Sequence, residues 1–390
     1  MSGAPDAVAV KFGRWIGIAA VVALLELTLH NVYQVIGWVP RSLGENDFRL
    51  YYAAAEVGLH HGWSRLYDLD LQRSAVAAAW PDPAARFFPF VSPPPLAWLA
   101  APFTALPSQA AYLVWAPLMF ASLVAAALLA AGPMRMSRLI HVLSGTGFLA
   151  SFVALVYGQP VPLLVLAVIS AWRLLLRDRE IAAGLVLTLL LLKPQDGLLV
   201  LPLVLVSGRW RAAVACAATS AAVVVISIAA LGPEGVARYL AALTPFTSNP
   251  YFQRWSIGVL VGDGTAWYVA AAGVTAVSAA LAWIARRDAA AVLSVGVLAS
   301  LVVARYLTLS DLVMLLAPIW LLSAGAPAWQ RPAAPVLWLM GWFTVGVAGL
   351  MFWVAVLVGF LAVSRQLGSN WRPSRAISFS PSPETPEPAP

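Results

Sequence analysis

The side chains best suited to chemistry sit together early in the chain. The stretch from Glu45 to Asp70, ENDFRLYYAAAEVGLHHGWSRLYDLD, sets Asp47, Tyr51, Tyr52, His60, His61, Tyr67 and Asp68 just beyond the first long apolar run. A carboxylate at a membrane surface, flanked by aromatic rings that settle at an interface, suits removal of a proton from a hydroxyl whose co-reactant is held in lipid. The alternative is an amphipathic interfacial helix whose acids are merely solvated. Glu45 and Asp47, with His60 and His61 nearby, also raise a divalent metal. Such a site wants several oxygen ligands, and neighbours on an extended segment point to opposite sides, so no metal is expected. The single cysteine, Cys216, lies in an apolar run and rules out both an intrachain disulfide and a cysteine-based metal site.

The elements that must position these residues are membrane helices. Hydrophobic residues make up 61% of the 390 positions and charged residues 11%, too few charges to coat a soluble protein of this size. Mean hydropathy is +0.82. The net charge of +7 does not indicate a nucleic-acid partner, because its basic residues are clustered in short loops. Arg135 and Arg138, Arg177 and Arg179, Arg209 and Arg211, and Arg286 and Arg287 each follow one apolar run and precede another. That is the positive-inside pattern of cytoplasmic loops.

Apolar runs fall near 15–39, 109–131, 139–157, 160–176, 180–193, 197–207, 211–231, 266–285, 289–305, 309–325 and 334–362. They predict an all-α, polytopic transmembrane bundle of about 11 (10–13) spans, occupying residues 1–363 as a single domain. The first run is expected to be a retained anchor, with Glu26 and His30 paired and buried one helical turn apart. The segment 91–107 holds Pro93, Pro94, Pro95, Pro102 and Pro107. A full crossing there would put every arginine cluster outside, so it is expected to be a re-entrant or juxtamembrane element, or half of a hairpin. The outer face then receives a first loop, 40–108, carrying juxtamembrane helices, and a second, 232–265. It also receives the turns at 157–160 and 193–196 and the segment 305–311. The tail, 364–390, has no apolar content and is expected to be disordered.

Several short motifs, taken in order, resemble a known family. They are Asp47-Phe48 with Tyr51-Tyr52, Gly62 and Leu66-Tyr67-Asp68; then FFPFVSPPPLAWLAAPFTALP; then Tyr157-Gly158-Gln159; then Leu192-Lys193-Pro194-Gln195 and Gly208-Arg209-Trp210-Arg211. Together they resemble glycosyltransferase family 87, whose members are GT-C-type membrane enzymes using polyprenyl-phosphate sugars. The resemblance spans roughly 40–320. It implies that Asp47 is the general base. Lys193 and Arg305, each at the outer end of an apolar run, are the candidates to meet the donor phosphate, and Tyr51, Tyr52, His61, Gln159, Gln195 and Asp311 those to contact sugar or acceptor. Lys193 has a plainer alternative as a lysine snorkelling at a span's end, and Asp311 as an ion-pair partner of Lys193 or Arg305. The chain departs from better-known members in having Gln253-Arg254-Trp255-Ser256 in its second outer loop and ARYLTLSDLVMLLAP, with Tyr306 and Asp311, further on.

The activity implied is transfer of a sugar, mannose or another hexose favoured, from a polyprenyl-phosphate donor to an envelope glycolipid or glycan. It would proceed with inversion at the outer face of a bacterial cytoplasmic membrane. No cofactor is called for; the partners are membrane lipid, the lipid-linked donor and the acceptor, and no nucleic acid. Two rivals are a flippase or transporter of lipid-linked sugars and a non-catalytic partner in envelope assembly. A transporter should carry broken helices and polar groups at mid-membrane, whereas here the polar residues gather at one face.

Overall fold

A helix rises about 1.5 Å per residue, so about 20 residues are needed to cross some 30 Å of hydrocarbon. Several of the apolar runs are shorter than that, and their fate decides the architecture. A computed structural model describes residues 7–42, 46–80, 87–132, 135–247, 255–262 and 264–325. Among these the chain is about 82% helical with no strand, which makes it an all-α membrane protein. The helices are α1 (Ala7–Ser42), α2 (Phe48–His61), α3 (Leu69–Ala79), α4 (Pro94–Ala100), α5 (Ser108–Ala130), α6 (Arg135–Thr146) and α7 (Leu149–Val156). They continue with α8 (Val161–Leu175), α9 (Glu180–Leu187), α10 (Val200–Val206), α11 (Trp210–Thr247), a single turn at Gly258–Val261, α12 (Thr265–Ile284), α13 (Ala289–Val303) and α14 (Leu316–Gly325).

Four helices among the described residues are long and apolar enough to cross a membrane: Gly17–Trp38 within α1, α5, Trp210–Pro245 within α11, and α12. The α6–α7 pair, bent by 58°, makes a fifth if it is one span. The remaining apolar runs described form the shorter helices Val161–Leu175, Glu180–Leu192, Ala289–Val303 and Leu309–Ser323, while α10 has only seven residues. The eleven runs are therefore not eleven full-length helices. The run 334–362 and the tail 364–390 lie outside the described residues.

Long and short helices play different parts. Only 6% of the apolar window of α1, 11% of α12 and 17% of α11 is buried, so these helices turn apolar side chains outward, as lipid contact requires. Every residue of α13 is buried, and most of α8 is. Short helices thus fill the centre and long ones enclose them. Where α9 crosses α11, Gly184 lies so close to the backbone at Ala212 that a methyl group would not fit. Glycine there lets two helix backbones approach closely.

The bend between α6 and α7 has an identifiable cause. At the bend Leu143 O still accepts from Gly147 N at 2.8 Å, while Thr146 O takes its donor from α1: Asn31 Nδ2 donates to it at 2.9 Å, and Thr28 Oγ1 lies 3.3 Å from Leu143 O. Buried Asn31 and half-buried Thr28 of α1 are thus on this face. Glu26 and His30, expected to pair and be buried, are instead exposed, and His30 Nε2 approaches Gln34 Nε2 at 3.4 Å. The i, i+4 spacing put them on one helix face correctly, but that face turns away from α6 and α7.

The proline-rich segment forms α4 and a 3₁₀ turn, Ala101–Ala105, with a combined rise of roughly 20 Å. That rise is less than the roughly 30 Å of hydrocarbon, and the segment packs on α2. The expected outer loop 232–265 carries more helix than a loop suggests. At Gly232 the backbone leaves the helical region, φ 64°, and after Pro233 the second limb of α11 continues to Thr247. That limb docks on the segment after α2: Tyr239 packs on Tyr67 at 4.6 Å between ring centroids, and Arg238 reaches Asp68 at 3.3 Å.

Candidate active site

The site begins with a helix start that spares its own carboxylate. Asp47 precedes the first residue of α2, the position at which an Asp side chain ordinarily accepts a hydrogen bond from the helix backbone, yet it makes none. Asn46 does this instead, its Oδ1 accepting from Arg49 N at 2.9 Å. The Asp47 carboxylate is left half-buried and free to face the interior, at a helix terminus whose dipole favours negative charge.

Two contacts fix where it points. Asp47 N and Phe48 N both donate to Tyr157 O, at 2.8 and 3.3 Å, which pins the start of α2 to the turn Tyr157-Gly158-Gln159. Two aromatic residues of α5 hold that turn from behind: Tyr112 OH donates to Val156 O at 2.8 Å and Trp115 Nε1 to Gly158 O at 2.7 Å. Gly158 itself is left-handed, φ 67°, and a β-carbon there would lie 2.9 Å from Phe48 Cβ. Gly158→Ala is therefore expected to destabilise the protein by about 1–3 kcal/mol and to displace Asp47, lowering turnover at least tenfold. Thermal unfolding in detergent and initial rates check this. A stable variant with full turnover would show that the turn does not position the carboxylate.

Gln159 is the hub of the cluster. Its Nε2 donates to Asp47 Oδ2, and its Oε1 accepts from Tyr51 OH and from Lys193 Nζ, each at 3.0 Å. Lys193 in turn forms an ion pair with Asp311. Asp311 also accepts from Thr308 N at 2.6 Å and Thr308 Oγ1 at 3.0 Å, capping the 3₁₀ helix Leu309–Leu315. Residues from four separate stretches of sequence therefore meet within one hydrogen-bonded network: α2, the turn before α8, the turn after α9, and the 3₁₀ helix before α14. Lys193 is 5% exposed and Asp311 fully buried. The Asp47 carboxyl is held above the usual carboxylate range by burial, against the opposing influence of the Gln159 hydrogen bond and of Lys193 and Arg49. Burial likewise pushes the Tyr51 and Tyr306 hydroxyls far up, so both stay protonated donors.

The depth of Lys193 follows from helix length. From Glu180 to Leu192 the chain is an α-helix and then a 3₁₀ helix, rising roughly 22 Å, less than a full crossing. The turn at 193–197 is thus set down inside the bundle instead of at its rim. A lysine snorkelling to water would be exposed; this one is enclosed.

Asp47, Tyr51, Gln159, Lys193 and Asp311 are brought together. The contacts seen for Tyr52, His61, Gln195 and Arg305 lie elsewhere. Tyr52 OH donates to Leu106 O at 3.0 Å and its ring meets Trp80, which ties α2 to the segment after α4. His61 is exposed at the far end of α2. Gln195 is half-buried in the 193–196 turn. Arg305 lies over Trp267 and Tyr268 of α12, 4.3 and 4.9 Å from their ring centroids. Two residues of the cluster went unremarked in the sequence reading. Arg49 is buried beside Asp47, and Asp196 is fully buried in the Lys193 turn. The signal for Asp196 was its spacing, three residues after Lys193. Arg49 had none. Glu45, Gln253 and Arg254 lie outside the described residues, among which no three His, Cys, Asp or Glu side chains are grouped to hold a metal ion.

A carboxylate, an amide and an ammonium thus meet inside an apolar helical bundle. A family model, Glycosyltransferase family 87, matches residues 90–310, more than half the chain. The chain belongs to glycosyltransferase family 87 and is a membrane glycosyltransferase. The match takes in Gln159, Lys193 and Arg305; Asp47 and Asp311 lie outside it. No curated protein and no solved structure matches the chain.

Proposed function

We propose that the chain transfers a sugar, a hexose such as mannose favoured, from a polyprenyl-phosphate donor to a hydroxyl of an envelope glycolipid or glycan. The reaction takes place at the outer face of the bacterial cytoplasmic membrane. The observation that carries this reading is the Asp47–Gln159–Lys193 network, in which a half-buried base and an enclosed cation are held by one amide. Asp47 removes the proton of the acceptor hydroxyl as its oxygen attacks the anomeric carbon. The bond from that carbon to the phosphate oxygen breaks, and its electron pair leaves with polyprenyl phosphate. One displacement inverts the configuration.

Lys193 is suited to the leaving phosphate. An ammonium has three N–H donors, of which Gln159 and Asp311 take one each. The remaining donor, in a site of low dielectric, would stabilise charge building on the phosphate. The lipid tail of the donor fits an enclosing shell of outward-facing apolar helices. An outer-face site accords with the positive-inside order of the arginine clusters, since a nucleotide sugar would not be available there.

The test is transfer by the purified full chain in lipid nanodiscs from a panel of polyprenyl-phosphate sugars to a membrane glycolipid extract. Product whose new linkage has the opposite anomeric configuration supports the reading. Transfer from a soluble nucleotide sugar without the lipid intermediate would overturn it.

A further inference from the structure

Asp196 is a buried acid whose chemistry the mechanism above leaves unused. It is fully buried, and among the described residues neither carboxyl oxygen has a hydrogen-bond partner. A buried polar group without a partner costs free energy that a folded protein ordinarily avoids, and at an active site it often awaits a ligand atom. The backbone places it beside Lys193. Pro194–Asp196 is a 3₁₀ turn closed by Asp196 N donating to Lys193 O at 3.0 Å, so Lys193 and Asp196 open and close the same turn. Gly197, the next residue, is packed against Leu190, which anchors the turn from below.

The groups that face Asp196 electrostatically are Lys193 and Asp311, with Tyr51 and Tyr306 reached as well. α13, packed against this turn, contributes no ionisable side chain. Asp311 already holds Lys193 in an ion pair. A second carboxylate here would have no cation of its own, so the neutral acid is the form that the surroundings favour; burial and Asp311 raise its pKa well above the ordinary value, against the opposing influence of Lys193. A neutral carboxyl group offers an O–H donor, and an O–H donor beside an ammonium is a pair built for an anion.

We propose that Asp196 is a second contact for the donor phosphate, donating its O–H to one phosphate oxygen while the remaining N–H of Lys193 meets another. The proposal rests on the lipid-phosphate reading above and deepens it: the subsite holds a phosphodiester, and it discriminates by protonation state. No bond is made or broken at Asp196, which binds and orients the donor.

Binding is measured with methyl farnesyl phosphate, a lipid phosphodiester with no sugar, on the full chain in nanodiscs. This probe keeps one charge from about pH 6 to about pH 9, unlike a monoester, whose second proton titrates near pH 6. Asp196→Ala is expected to weaken binding about tenfold or more, the usual effect of losing a hydrogen bond to a charged group. Asp196→Asn keeps an N–H donor and the shape, and is expected to bind within about threefold of wild type at the acid end, a change of under 1 kcal/mol. As pH rises, wild type should weaken relative to Asp196→Asn, which cannot ionise. Wild-type binding with an unaltered Asp196→Ala affinity would overturn the role of Asp196 and leave the lipid-phosphate site standing. Wild-type binding that tightens with pH would also overturn it, since Asp196 would then act as a carboxylate. No binding by wild type would overturn the lipid-phosphate reading itself and this proposal with it.

Discussion

Asp47→Asn is expected to fold as wild type does and to lose sugar transfer by about 10³-fold, within the 10² to 10⁴ that a positioned general base contributes. The two halves of this expectation come from different parts of the structure. The fold survives because Asn46, and not Asp47, caps α2, and because the anchor of α2 on Tyr157 O is made by backbone amides. An asparagine can turn its oxygen to accept from Gln159 Nε2, so the hub stays satisfied and stability should change by less than about 1 kcal/mol. Activity is lost because an amide has no basic oxygen to receive the acceptor's proton. The wild-type pH profile offers an independent check. Only the ionised form is a base and burial raises the Asp47 pKa, so the rate must rise with pH through a midpoint above the ordinary carboxylate value. Initial rates at saturating donor, with thermal unfolding on the same preparations, decide the matter. Full-rate transfer by the variant would remove Asp47 as the base.

How much of this was legible beforehand depended on the length scale of the signal. The membrane class followed from composition, because composition is a sum over many residues. The meeting of Asp47, Gln159, Lys193 and Asp311 was legible only as a set of turns expected on one face. What hydropathy could not show was depth. Periodic apolar runs look alike whether a helix crosses fully or stops short inside the bundle, so Lys193 looked like a residue at a span's end when it lies enclosed. Side-chain direction was equally hidden. Tyr51 and Tyr52 are adjacent, yet one bonds Gln159 and the other Leu106 O, because neighbours on a helix project about 100° apart. Arg305 was singled out by its charge at a helix end, and its packing over two α12 rings adjacent in sequence was not visible there. Such contacts depend on which helices become neighbours, and no local pattern reports that.

Lys193 supplies the other large effect, and a pair of substitutions can divide its structural role from its catalytic one. In Lys193→Met the Asp311 carboxylate is left buried with no cation, and Gln159 Oε1 loses one of its two donors. Breaking a buried pair from one side costs about 3–5 kcal/mol, most of it the penalty of an uncompensated charge. The variant should therefore unfold at markedly lower temperature and transfer no sugar. Changing Asp311 as well alters the first outcome only. In Lys193→Met/Asp311→Asn no carboxylate is stranded at 311, and the asparagine oxygen can still accept from Thr308 N, which keeps the cap of the 3₁₀ helix. Most of the lost stability should return, because neutral replacements of a buried ion pair are often tolerated. Transfer should remain at least about 10²-fold below wild type, because nothing in the double variant replaces the ammonium that meets charge on the leaving phosphate. Measuring unfolding temperature and turnover on both variants separates the two effects. If the double variant regained turnover along with stability, Lys193 would be a structural partner of Asp311, and the cation for the phosphate would have to be sought elsewhere, with buried Arg49, beside Asp47, one choice.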